Sequence, residues 1–236
     1  MAEIICDGKT TRDINTEIKH LIAGGETDIC MKNPVARHNL GVAILQSVKL
    51  TFDGSVGYYC AGMVDGPTVE IKGSAGWGLA ESMMGGTVTV EGNAGNGAAA
   101  SIRGGTVVVR SDAASRLGVS MKGGLIIVGG NCGYMAGFMA QRGTIIVCGD
   151  TGEAFADSMY EAVCFVGGNI AELGNDAVIE KPTEEDITFL ESTLSQHLPS
   201  KVGNSQTILR NFKKVVSGRK LWNFDKDERA VWREAL

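Results

Sequence analysis

A 19-residue period runs through the middle of this chain and limits what it can fold into. Val69, Val88, Val107, Ile126, Ile145 and Cys164 stand 19 apart, and Ile71, Val90, Val109, Val128, Val147 and Val166 repeat two places on. A third register holds Gly73, Gly92, Ser111, Gly130, Gly149 and Gly168, followed at once by Ser74, Asn93, Asp112, Asn131, Asp150 and Asn169. A unit this short cannot bury its own apolar face and must stack on its neighbours, so the pattern is a solenoid signature. It is also too short for the common two-helix repeats.

One unit shows how a coil is built. Thr87 to Glu91 alternates as a strand, with Val88 and Val90 inward and Thr89 outward. Gly92 to Gly97 then bends the chain with residues that tolerate positive φ. Ala98 to Ile102 returns to a second corner at Gly104-Gly105, in a run too short for a stable helix. The small residues Ala80, Ala99, Gly118, Gly137 and Ala156 share one column, which suits two walls that approach closely. The expected fold is an all-β solenoid, a right-handed parallel β-helix of roughly 19-residue coils with helical appendages at both ends. The boundaries read as 1–28 for an N-terminal strand and capping helix, 29–178 for the β-helix with clear coils over 48–170, and 179–236 for a helical tail.

Glycine is 33 of 236 residues, about twice the usual ~7%, without the triplet period of collagen. The formal charge of −5 offers no general field for nucleic acid. The apolar runs are strand-sized, so no membrane span is expected. Six cysteines without a signal-like N-terminus predict reduced thiols in a cytoplasmic protein. Cys132, Cys148 and Cys164 are 16 apart, out of step with the coils, and no C-x-x-C occurs, so no metal or cluster site is expected. Gly73 to Gly78 imitates a dinucleotide fingerprint, but its glycine spacing is wrong and it recurs one coil on without a following helix.

The column from Ser74 to Asn169 reads as a structural ladder of side chains bonding at stacked turns. The sharper alternative is an anion- or sugar-binding edge. The outward strand column runs Glu70, Thr89, Val108, Ile127, Ile146, Phe165, and its last four members make an apolar row that something must cover. Capping boxes at Thr10/Asp13 and Thr183/Asp186 begin two helices, the second with Ile187, Leu190 and Leu194 on one face. A further helix is predicted from Ser205, with Ile208, Leu209, Phe212, Val215 and Val216 buried and Gly218 as its stop. That helix is expected to cover the later part of the apolar row. The terminal segment with Trp222, Phe224 and Trp232 is then left to engage a partner.

The glycine corners, the valine pairs between them and the tail resemble the Gly-x-Gly-x-Gly β-helix domain at the C-terminal end of the glutamate synthase large subunit, over residues 5 to 220 or so. Stand-alone members of that family include a small subunit of N-methylglutamate synthase and a subunit of formylmethanofuran dehydrogenase. The length, the Thr-x-x-Asp-Ile-Asn opening that ends at Asn15 and the aromatic, basic tail are most similar to the first. The resemblance implies a structural subunit packed against a glutamine-amidotransferase-like subunit and an FMN and iron–sulfur synthase-like subunit, in a complex converting methylamine and glutamate to N-methylglutamate and ammonia. It implies no catalytic, cofactor-binding or metal-binding residue in this chain. Cys6 is preceded by five residues and is no N-terminal nucleophile.

Overall fold

The computed structural model describes residues 1–202 and 209–219. The chain opens with strand β1 (Ala2–Ile5), helix α1 (Thr11–Ala23) and β2 (Asp28–Lys32). One strand per coil follows: β3 (Lys49–Asp53), β4 (Thr68–Ile71), β5 (Thr87–Val90), β6 (Thr106–Val109), β7 (Leu125–Val128), β8 (Thr144–Val147) and β9 (Val163–Val166). Then come β10 (Ala177–Glu180), α2 (Glu184–His197), α3 (Pro199–Val202) and β11 (Lys213–Ser217). β1 through β9 pair in chain order and all in parallel, giving a β-solenoid of about seven turns with one long sheet. From β3 to β9 each strand pairs with the residue 19 positions on, as Val69 with Val88 and Val88 with Val107. Both inward columns, Val69 through Cys164 and Ile71 through Val166, are fully buried.

The opposite wall is not a sheet. Alternate residues of each return segment sit in the left-handed region: Tyr59, Ala61 and Met63, then Gly78, Ala80 and Ser82, then Gly97, Ala99 and Ser101 in successive coils. Later coils repeat this with Arg116, Gly118 and Ser120, then Met135, Gly137 and Met139. Backbone bonds still tie these segments together, the Ala80 N–H donating to Cys60 O and the Ala99 N–H to Leu79 O. The middle residue of each triplet faces the sheet, and its size answers the strand opposite. A Cβ on Gly118 would lie 2.8 Å from Ile126 Cδ1 and 3.0 Å from Ile145 Cδ1. Glycine therefore stands in the coils with isoleucine in the strand column, and alanine in those with valine or cysteine. On a third side, single bridges connect Val56, Ala75, Ala94, Ala113, Cys132, Thr151 and Ile170 in succession.

The two ends are closed differently. Thr10 and Asp13 form the capping box of α1, whose Ile14 and Ile18 are buried in the solenoid core. Asn15 on the same helix donates to Asn39 O at 2.7 Å and accepts from the Gly41 N–H at 2.9 Å. It supplies the first left-handed segment with the bonds that a preceding coil would have made.

At the other end the predicted helix through Phe212, Val215 and Val216 is corrected: residues 213–217 are strand β11. It inserts antiparallel between β9 and β10. The free edge of β9 offers unpaired backbone groups, and the β-branched pair Val215-Val216 suits an extended chain. These outweigh an apolar spacing that also fits a helix. The start of that predicted helix at Ser205, with Ile208, lies outside the described residues. Among the described residues the tail is helical in α2, in α3 and at 209–210, and extended in β10 and β11.

Candidate functional site

The polar turn column forms a continuous hydrogen-bonded ladder. Each side-chain oxygen accepts from the backbone N–H of the same position one coil on: Ser74 Oγ from Asn93 at 3.1 Å, Asn93 Oδ1 from Asp112 at 3.0 Å, Asp112 Oδ1 from Asn131 at 2.7 Å. Asn131 accepts from Asp150 at 2.8 Å and Asp150 from Asn169 at 2.6 Å. The preceding glycines make room for these acceptors, since a Cβ on Gly130 would stand 2.2 Å from Asp112 Oδ1. The same packing accounts for Gly73 at the start of the false nucleotide fingerprint, where a Cβ would meet Ser55 Oγ at 2.4 Å. The oxygens point along the solenoid axis and do not converge on one place.

Five of the six thiols are buried and Cys148 is partly so. Burial pushes Cys132 up to about 12 and Cys148 up to about 11, with Lys201 slightly opposing the latter. Cys60 and Cys164 are driven further in the same direction by complete burial. A thiolate nucleophile or metal ligand needs the opposite environment, partly exposed and electropositive. Among the described residues no three His, Cys, Asp or Glu side chains are grouped to hold a metal ion.

The outward column divides into two parts. Glu70 lies between Lys49 at 3.2 Å and Lys72 at 3.0 Å, and Glu91 pairs with Arg110 at 3.0 Å. From Val108 on, the column members Val108, Ile127, Ile146 and Phe165 are buried in a second apolar cluster with Ile187, Leu190, Leu194 and Leu198. The cover is therefore α2 with Leu209 and Phe212, and not a helix carrying Val215 and Val216; Val215 belongs to the solenoid core. Asp186 pins this arrangement. It completes the α2 capping box with Thr183 and accepts from Lys214 on β11 at 2.8 Å. Burial alone would raise its pKa, but the Lys214 ammonium and the Thr183 donors hold it below the usual carboxylate range. Trp222 and Trp232 lie outside the described residues.

Among the described residues, large apolar side chains are exposed on the left-handed wall of the first coils. Tyr59 is 45% exposed, Met63 53% and Trp77 52%, with Tyr58 at 39% beside them. His38, Tyr58 and Trp77 stack along the axis with ring centroids 4.4 and 5.2 Å apart. His38 Nδ1 accepts from the Tyr58 N–H at 2.8 Å, which fixes the ring. Tyr59 lies against Gly78, where a Cβ would come within 2.4 Å of its ring. Two hollows adjoin Tyr59. One of about 350 Å³ is bounded by Asn39, Val42, Met63 and Glu81. The other, about 340 Å³, is bounded by Trp77, Glu81, Asn96 and Arg116, above a Gly97 with open space over its Cα. The sequence reading missed this surface, although Tyr58 and Trp77 stand one period apart.

Among the described residues no helix is long and apolar enough to cross a membrane. The chain is 48% identical over 218 residues to Protein GlxC of Rhizobium meliloti (strain 1021), covering 92% of this chain and 93% of that protein. Its fold is similar to a chain of the formyltransferase/hydrolase complex (FhcABCD) of Methylorubrum extorquens, crystallised in complex with methylofuran. The TM-score is 0.63 at 23% identity, over 83% of this chain and 84% of that one. The GXGXG motif family matches residues 30–222, which takes in the whole stack of glycine-cornered coils, and the chain belongs to that family, that of the glutamate synthase C-terminal domain.

Proposed function

We propose that this chain is a non-catalytic structural subunit of an N-methylglutamate synthase-type complex. In that reading a glutamine-amidotransferase-like subunit and an FMN and iron–sulfur synthase-like subunit carry the chemistry in the cytoplasm, and this chain packs against them. One observation carries the reading: the groups a repeat like this could offer to chemistry are engaged in holding coils together. The Ser74–Asn169 oxygens accept inter-coil bonds, and the thiols are held neutral by burial. The segment around Trp222 and Trp232 is assigned to partner contact. A separately encoded glutamate synthase domain remains the nearest alternative, and the likeness in fold to a chain of the formyltransferase/hydrolase complex keeps a formylmethanofuran dehydrogenase-type assembly beside it.

Affinity purification of the full chain from native cells tests this reading. Co-elution with two larger proteins and a flavin absorbance spectrum is the expected result. Recovery as a lone polypeptide that itself turns over a small molecule would overturn it. Removal of residues 221–236 is expected to leave the coils folded and to weaken the assembly.

A further inference from the structure

Helix α2 lies across the strands it covers and is tied down at its two ends by different chemistry. The row from Phe165 on β9 to Val108 on β6 crosses three strand spacings, about 14 Å. The 14 residues of α2, about 21 Å long, are enough to span it. Contacts fix the direction. At the N-terminal end Asp186 accepts from Lys214 of β11, which pairs beside β9, and the Phe189 ring centroid lies 6.3 Å from that of Phe165. At the C-terminal end the His197 carbonyl accepts from Arg110 Nη1 at 3.3 Å, just past β6. Between the ends the contact is apolar, through Ile187, Leu190, Leu194 and Leu198, in a cluster distinct from the solenoid core. A layer held in this way can open locally while the coils stay folded.

His197 makes one of the two ties conditional. Its imidazole is partly buried and shares the helix end with the Arg110 guanidinium, which already bonds the terminal carbonyl that would otherwise favour an imidazolium. Arg110 is held by Glu91 on the neighbouring coil, whose carboxylate accepts from its Nε at 3.0 Å, and Lys72 one coil further lies within electrostatic reach of both. Lys201 on α3, four positions past His197, is a further cation on that side, and its charge acts on Cys148 just past β8. Among the described residues, a proton on the His197 ring therefore meets cations and a carboxylate that is already engaged. Burial first, and then Arg110, push its pKa below the ordinary value. The closed helix thus favours the neutral ring: its hold is complete above the released-state value of about 6.5 and weakens as pH falls. Asp186, also held low, keeps its grip on Lys214 until the pH falls below about 4. We propose that α2 is a one-ended, acid-released latch: proton uptake at His197 frees the C-terminal half of the helix from β6, with Asp186 and Lys214 as the hinge, and uncovers the Val108 and Ile127 end of the apolar row. The latch is a contact within the chain and stands apart from the subunit reading.

Hydrogen exchange of the full chain at pH 7.5 and 5.5, read by mass spectrometry and corrected for intrinsic exchange, follows both ends at once. Protection over residues 190–198 is expected to fall at least about threefold at the lower pH, while residues 184–188 and 125–128 keep theirs. His197→Gln takes up no proton, and its protection should be the same at both pH values. Independently of any variant, the His197 imidazole of the wild-type chain should titrate below the ordinary value in NMR. An equal fall in His197→Gln would assign the acid response to another group and overturn the latch. So would wild-type protection that does not change with pH, a loss that runs along all of α2 and into the coils, or a His197 midpoint above the ordinary value.

Discussion

The sheet and the wall that faces it share one 19-residue period and reach it by opposite backbone solutions. The sheet uses β-branched residues in extended conformation, so its inward columns are uniform: valine or isoleucine in nearly every coil. The facing wall uses left-handed residues at alternate positions, and the outer column of its triplets runs Tyr59, Gly78, Gly97, Arg116, Met135, Ala154. Side-chain identity there is free as long as the backbone bonds form, except in the middle column, where the strand opposite limits size. The two walls also meet the outside differently. The apolar part of the sheet's outer face is covered by α2 within the chain, while the left-handed wall keeps its aromatics exposed. A uniform column stabilises a solenoid, and a variable one is where a family can write a surface.

The comparison is broken most severely from the sheet side. Val109→Asp places an unpaired charge in a fully buried column between two coils, and should cost about 3–5 kcal/mol in denaturant unfolding. A cost below about 1 kcal/mol would mean that the inward column is not a packed one. On the facing wall, Gly118→Val combines left-handed strain with contact against Ile126 and Ile145, and about 3 kcal/mol is expected. Gly97→Ala at nearly the same φ meets no neighbour and should lose only about 1 kcal/mol. Equal costs at 118 and 97 would show that strain alone, and not the approach of the walls, governs that column.

The cover over the sheet is sharpened through Asp186. Its folded pKa is depressed, so its stabilisation is present above the unfolded value of about 4 and fades as pH falls through the folded one. Asp186→Asn should lower stability by about 2 kcal/mol at pH 7. The gap between variant and wild type in thermal unfolding should then narrow as pH is lowered below about 4, and a gap that widened in acid would have the wrong sign. The smallest effect belongs to the turn ladder. Asn131→Ala removes the acceptor of the Asp150 N–H and should cost about 1 kcal/mol. Asn131→Asp keeps the acceptor but sets carboxylates on three successive coils, with Asp112 and Asp150 on either side, so it should also cost up to about 1 kcal/mol, and that cost should shrink at high salt.

Legibility in the sequence followed the same division. The strand register could be read from valine spacing because extended, buried positions restrict residue type. The turn column was readable because glycine next to Asn or Asp is demanded by close stacking. The two capping boxes were local enough to see. The left-handed wall was legible only as a column of small residues, since residues as different as Tyr59, Arg116 and Met135 adopt its backbone. Strand β11 was hidden because the free edge of β9, and not its own sequence period, dictates its conformation. The cover over Val108 to Phe165 was legible only in part: Leu209 and Phe212 of the expected segment do reach the row, but α2 supplies the rest, because an apolar helix face does not say which apolar row it will meet.

Oxidative footprinting of the full chain tests most directly whether the apolar face of the sheet is closed within the chain while the left-handed wall keeps its aromatics exposed. Tyr58, Tyr59, Met63 and Trp77 should react. Phe165 and Phe212, under the α2 cover, should be unreactive. Reactive Phe165 and Phe212 beside unreactive Tyr59 and Trp77 would reverse the two faces and contradict the account.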